Sequence, residues 1–169
     1  MWNKKISLGV LAVSVLVSGA AVADEAKDQA AVAKLLPSAK VTLSQGLSAA
    51  ESKGQPISGK FEVDDGHFQL SIYTAQGAAL QEVLIDYTTG KIAKAEPLSD
   101  AGDVAAAQKQ VAAMAKATTT LKAAVDKAEQ ESSGYRAVSV VAVRKQHRAV
   151  AMVTLVKGPQ FKSVSESLE

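Results

Sequence analysis

Polar and apolar residues change their period several times along this chain, and the changes mark its elements. Asp24 to Leu36 is rich in Ala and Lys and predicts a short helix that Pro37 ends. From Thr42 the spacing is helical again: Leu43, Leu47 and Ala50 fall on one face, and Thr42 with Gln45 makes a capping box. Gly54 and Pro56 stop that helix. The period then becomes that of strands. Ile57, Gly59, Phe61 and Val63 alternate with polar residues up to the turn Asp64-Asp65-Gly66, and Phe68, Leu70 and Ile72 alternate on the way back. A third strand runs from Leu80 to Ile85. After the turn Asp86-Tyr87-Thr88-Thr89-Gly90 a short fourth strand begins at Lys91-Ile92-Ala93. Phe61 and Phe68 flank one turn on neighbouring strands and are expected to pack together.

Pro97 to Gly102 reads as a linker, and the order then repeats. Asp103 to Lys116 predicts an Ala-rich helix, broken at Thr118-Thr119-Thr120. Leu121, Val125 and Ala128 predict a second helix, closed by Ser132-Ser133-Gly134. Val138, Val140 and Ala142, then Val150, Met152, Thr154 and Val156, alternate on two strands around a charged turn at Arg144–His147. Gly158-Pro159 turns the chain once more into Phe161–Leu168. A shift of 78 positions lays Thr42 on Thr120, Leu43 on Leu121, Leu47 on Val125, Ala50 on Ala128 and Glu51 on Glu129. The expected fold is α+β, with two tandem repeats at 24–98 and 103–169. Each repeat packs helices on one face of a three- to four-stranded antiparallel sheet and leaves the other face open.

The first residues have a different character. Lys4 and Lys5 precede an apolar run from Ile6 to Val17, and small residues end in Ala21-Val22-Ala23. Positive start, short apolar run and A-x-A end predict a signal peptide over 1–23, cleaved after Ala23 between the small residues Ala21 and Ala23 and Asp24. The run is too short to span a bilayer. The mature chain is then expected in the periplasm or outside the cell, and not spanning a membrane. The whole chain has 19 Lys and Arg against 17 Asp and Glu, and losing Lys4 and Lys5 balances them. A balanced chain has no basic stripe for nucleic acid. With no cysteine there is no disulfide, and no site for a lipid at the cleavage point.

Val41 to Ala95 resembles a PepSY domain. The likeness rests on the helix opening Val41-Thr42-Leu43-Ser44-Gln45, the Phe61-to-Gly66 strand and turn, and Glu82 to Ile92 with its Asp-x-x-Thr-Gly hairpin turn. Thr120 to Leu168 looks like a diverged second copy, lacking that turn after Phe161. The resemblance implies no catalytic residues, and it implies a role in binding or modulating an envelope protease, as PepSY domains do in protease propeptides. The doubled helix-and-sheet plan is also similar to the beta-lactamase inhibitor protein, an analogy of fold alone.

The residues themselves point away from an enzyme and from a cofactor. There are two histidines, His67 and His147, no nucleophile elbow and no Gly-rich phosphate loop. Asp64, Asp65 and His67 crowd one tight turn and are not expected to converge on a metal. Tyr73, with Gln69 and Ser71, falls on the polar side of its strand and is expected on the open sheet face. Arg144, Lys145 and Arg148 form the one basic cluster. These six residues are the expected contacts for a protein or peptide partner in the envelope. A small ligand or a metal ion is the alternative, and the oligomeric state is left open.

Overall fold

A computed structural model describes residues 19–169, with side chains from residue 26 onward. The apolar run of the expected signal peptide lies outside the described residues. Ala21 and Ala23 fall within helix α1 (Gly19–Leu35), which continues across the expected cleavage point. A short 3-10 turn carrying Pro37 follows it. Helix α2 (Leu43–Ala50) begins with the expected capping box, formed by the Thr42 and Gln45 side chains with each other's backbone N–H. Four strands come next: β1 (Gln55–Asp64), β2 (His67–Gln76), β3 (Ala79–Ile85) and β4 (Ile92–Pro97). Helix α3 (Ala101–Met114) is capped by Asp100, which accepts from the N–H groups of Gly102 and Asp103. Helix α4 (Leu121–Gln130) is capped by Thr120, and β5 (Arg136–Lys145), β6 (Arg148–Lys157) and β7 (Gln160–Ser167) complete the chain. Among the described residues no helix is long and apolar enough to cross a membrane.

The strands form one seven-stranded antiparallel sheet in the order β4-β3-β2-β1-β5-β6-β7. This corrects the expectation of two separate three- to four-stranded sheets in tandem repeats. The physical reason lies at β1 and β5. Each has one side paired in its own hairpin and the other side bare, and an unpaired row of N–H and C=O groups takes the partner at hand. They join over Ser58↔Val141, Gly59↔Val140 and Lys60↔Ser139. The stretch read as a linker is partly taken up by its neighbours: β4 runs through Pro97, Leu98 N–H donates to the Leu80 carbonyl at 2.9 Å, and Ala101 and Gly102 open α3.

Helices lie on both faces, which corrects the expectation of one wholly open face. On one face α2 packs on β1, β2 and β3, α4 packs on β5, β6 and β7, and the two helices touch. Ser44 Oγ on α2 donates to Asp126 Oδ1 on α4 at 2.6 Å. Gly59 of β1 lies under Leu43 and Leu47 of α2, so its neighbour Ser58 points the opposite way. There Ser58 Oγ donates to Gln110 Oε1 of α3 at 2.8 Å. α3 thus lies on the second face, against β1, β5 and β6. The core is continuous through the junction, from Leu43, Leu47, Leu70 and Ile72 to Leu121, Val125, Val140 and Leu155.

Candidate functional site

The six residues singled out in the sequence divide into two groups that the fold keeps apart. Ser71 and Tyr73 are buried and Gln69 is half-buried. Their faces of β2 are turned into an internal polar layer. Glu62 Oε1 accepts from Ser71 Oγ at 2.7 Å and from Gln69 Nε2 at 3.2 Å, while Lys60 Nζ lies 2.5 Å from Glu62 Oε2. Tyr73 Oη donates to Glu82 Oε1 on β3 at 3.2 Å. Burial pushes the Tyr73 hydroxyl far above its ordinary value, helped by the negative charges of Glu62, Glu82 and Asp103. Ser71 and Tyr73 present no surface to a partner, and Gln69 presents only part of its side chain. The alternation that placed them opposite Leu70 and Ile72 is real, but the second face carries its own cover.

Arg144, Lys145 and Arg148 are exposed at the β5–β6 hairpin tip. The turn is tight: Gln146 and His147 both take positive φ, 48° and 68°, the geometry that two-residue hairpins need. The tip holds three cations in water without any described partner in the fold's interior. His67 is exposed beside Asp65 at the β1–β2 turn. Among the described residues no three His, Asp or Glu side chains gather around one point where an ion could sit.

A concavity that no sequence motif announced lies at one end of the sheet. It forms where α2 ends, β1 begins, β2 ends and the α3–α4 connection passes, and it holds about 380 Å³. Leu47, Pro56, Ala75, Met114 and Leu121 give it apolar walls. Gly54, at the corner from α2 into β1, has φ 138° and a Cβ there would stand 2.7 Å from the Ala75 carbonyl oxygen, so the corner needs glycine. Glu51 and Lys122 stand at the rim. Lys122 is held charged above its usual range by its hydrogen bond to Asp126, with smaller help from Glu51. Burial raises the Asp126 carboxyl, but hydrogen bonds from Lys122 and Ser44 outweigh it and hold the group below its usual range. The Thr120 hydroxyl is engaged in capping α4, accepting from Ala123 N–H at 3.1 Å.

The groove and the basic tip share an end of the sheet. Gln55, at the start of β1, lines the groove, and β5 runs antiparallel to β1, so its last residues Arg144 and Lys145 come to that same end. Chemically this arrangement can seat an apolar group between charged margins. The groove walls come from four separate segments, each with an ordinary local pattern, and so no short-range signal could have located them.

No family model matches the chain, and no curated protein matches it. Among solved structures it is similar to a protein of Clostridium difficile 630, described provisionally as a lipoprotein, at 15% identity and a TM-score of 0.39. The likeness covers 70% of this chain and 78% of that one, and it carries no argument about what this chain does.

Proposed function

We propose that this is an exported, non-enzymatic protein of the bacterial envelope, periplasmic or secreted, that binds a protein or peptide partner at the groove end of its sheet. The observation that carries this reading is the groove itself, an apolar cleft of about 380 Å³ with charged residues on its margin. A cleft of that kind accepts one or two apolar side chains of a partner, and buried apolar anchors dominate the energetics of most interfaces. The exposed Arg144, Lys145 and Arg148 at the same end favour acidic residues beside the anchor. The N-terminal Lys4-Lys5, apolar run and Ala21-Val22-Ala23 support export and cleavage after Ala23. The PepSY resemblance of Val41–Ala95 makes an envelope protease the partner class to test first, with the bound chain inhibiting or modulating it. Small-ligand binding is the second reading, since the cleft volume falls within the range of small-molecule sites.

Selection of random displayed peptides on the processed protein tests the first reading. Enriched peptides should carry an apolar residue flanked by Asp or Glu. Their binding should fall on Ala75→Glu, which places a carboxylate on the groove wall, and on joint Arg144→Glu, Lys145→Glu and Arg148→Glu. Peptides that bind both variants as well as the parent would sink the site. Enrichment of none, together with a thermal shift from a metabolite panel, would favour the small-ligand reading.

A further inference from the structure

The two edges of the sheet are built differently. β4 is short, its pairing with β3 is broken by an irregularity at Leu84/Ile85, and it carries Lys94, Glu96 and Pro97. These are features that keep an edge from pairing further. β7 also carries charge, at Lys162 and Glu166, but it lacks the break in pairing and the proline. It pairs with β6 over eight successive positions, from Lys157↔Gln160 to Val150↔Ser167, without a shift, and it contains neither Pro nor Gly. Among the described residues nothing pairs with its other side.

The direction of each backbone group on β7 follows from the hairpin. Gln160 and Lys157 close a two-residue turn, and such flanking residues bond each other. Even-numbered residues therefore aim N–H and C=O at β6, as the Leu168 N–H bond to the Ala149 carbonyl at 3.0 Å confirms. Phe161, Ser163, Ser165 and Ser167 aim theirs outward.

We infer that β7 pairs antiparallel with β7 of a second copy of this chain, centred on Val164, to make a continuous fourteen-strand sheet across a two-fold axis. The register is set by charge and by backbone parity together. With Val164 opposite its own copy, Ser163 faces Ser165 and Phe161 faces Ser167, so outward groups meet outward groups. The same register sets Lys162 opposite Glu166, and it is the one symmetric register that does so. Lys162, Val164 and Glu166 alternate onto one face, the face of α4, where Lys127 also reaches Glu166. The contact is isologous, as a two-fold dimer requires. A single strand pair lies at the low end of interface sizes, so the dimer is concentration-dependent. This edge is separate from the groove, and the inference does not depend on the proposed partner.

The chain has no cysteine, which makes the test clean. Sedimentation of the processed protein over a concentration series should show a monomer–dimer equilibrium. Val164→Cys should cross-link to the dimer under mild oxidation, because residues directly opposite on paired strands bring Cβ atoms within disulfide reach. Exposed Gln160→Cys, whose counterpart lies far along the strand, should not. Ser165→Pro removes an outward N–H without touching the β6 ladder, and it should abolish the dimer while circular dichroism shows the fold retained. A chain that stays monomeric to its solubility limit would overturn the inference. So would a dimer that survives Ser165→Pro, or Val164→Cys cross-linking no faster than Gln160→Cys. Capture of an extended peptide on β7 by a monomeric chain would also overturn it.

Discussion

The hydroxyl of Tyr73 on β2 donates to Glu82 Oε1 on β3 across 3.2 Å, and both side chains are buried. A phenol in that setting stays protonated in the folded chain well beyond the point at which it ionises in an unfolded one, near pH 10. The unfolded chain therefore releases a proton that the folded chain keeps, and stability is lost as pH rises above about 10. Lys122 and Lys127, raised by their carboxylate partners, add to the same alkaline loss. Tyr73→Phe should cost about 1–2 kcal/mol at neutral pH by removing one buried hydrogen bond. It should also make the alkaline fall shallower. Urea unfolding at a series of pH values reads both, and an unchanged alkaline slope would show that the hydroxyl is not the group responsible.

At the β3–β4 turn Asp86 Oδ1 accepts from the N–H groups of Thr88 and Thr89 at 2.8 and 2.9 Å. Those backbone bonds hold the carboxyl below the usual carboxylate range. A depressed carboxyl contributes stability that is present above its unfolded pKa, near 3.9, and is lost as pH falls through the folded value. Titration of the Asp86 carboxyl carbon by NMR should give a midpoint below 3.9. Asp86→Ala should remove the acid-dependent component at this turn and speed amide exchange at Thr88, Thr89 and Gly90. A midpoint at or above the ordinary value would rule this reading out.

What could be read from the residues was local. The capping box at Thr42, the hairpin turns ending at Gly66 and Gly90, the packing of Phe61 on Phe68 at 5.7 Å and the strand alternations all rest on neighbours within about ten positions. The β1–β5 junction rests on three residue pairs from segments some 80 positions apart, and nothing in either segment specifies the other. The same gap explains the misplacement of Ser71 and Tyr73. Polar alternation marks a face that is not apolar core, but here Gln110 of α3 and a layer of carboxylates satisfy that face inside the molecule. The exposed tip at Arg144–Arg148 was legible because a charged two-residue turn needs no distant partner.

Arg136 ties the segment after α1 to the second half of the sheet. Nη1 donates to the Leu36 carbonyl at 3.1 Å, and Nη2 to those of Ala39 at 3.1 Å and Val41 at 2.8 Å. The guanidinium also lies 5.6 Å from the centre of the Phe61 ring. One planar fork reaching three carbonyls is a task an ammonium cannot repeat. Arg136→Ala should destabilise by about 2–3 kcal/mol, and Arg136→Lys should recover less than half of that. Chemical denaturation gives the magnitudes, and hydrogen exchange should quicken at Val41 and Lys40, whose N–H groups donate to the Tyr87 carbonyl. Full recovery by lysine would mean that charge alone matters there.

Helix α2 packs closely on the row Ile72–Gly59–Val140, where β2, β1 and β5 meet. A Cβ on Gly59 would stand 2.6 Å from Ile72 Cδ1 and 3.4 Å from methyl carbons of both Leu43 and Leu47. The backbone there is ordinary strand, so the demand for glycine is one of space. Gly46 of α2 meets the sheet the same way, its added Cβ falling 2.6 Å from Leu70 Cδ2. Gly59→Ala should therefore cost about 1–3 kcal/mol through overpacking. Ile72→Val alone removes the clashing methyl from a filled core and should cost about 0.5–1.5 kcal/mol. In the Gly59→Ala background the methyl is the obstacle, so Ile72→Val should there cost less or restore stability. The two changes should couple favourably by more than about 0.5 kcal/mol in a double-mutant cycle. Strict additivity would mean that the Leu43 and Leu47 side of α2, rather than Ile72, sets how near the helix can come to the three-pair junction holding the two halves of the sheet together.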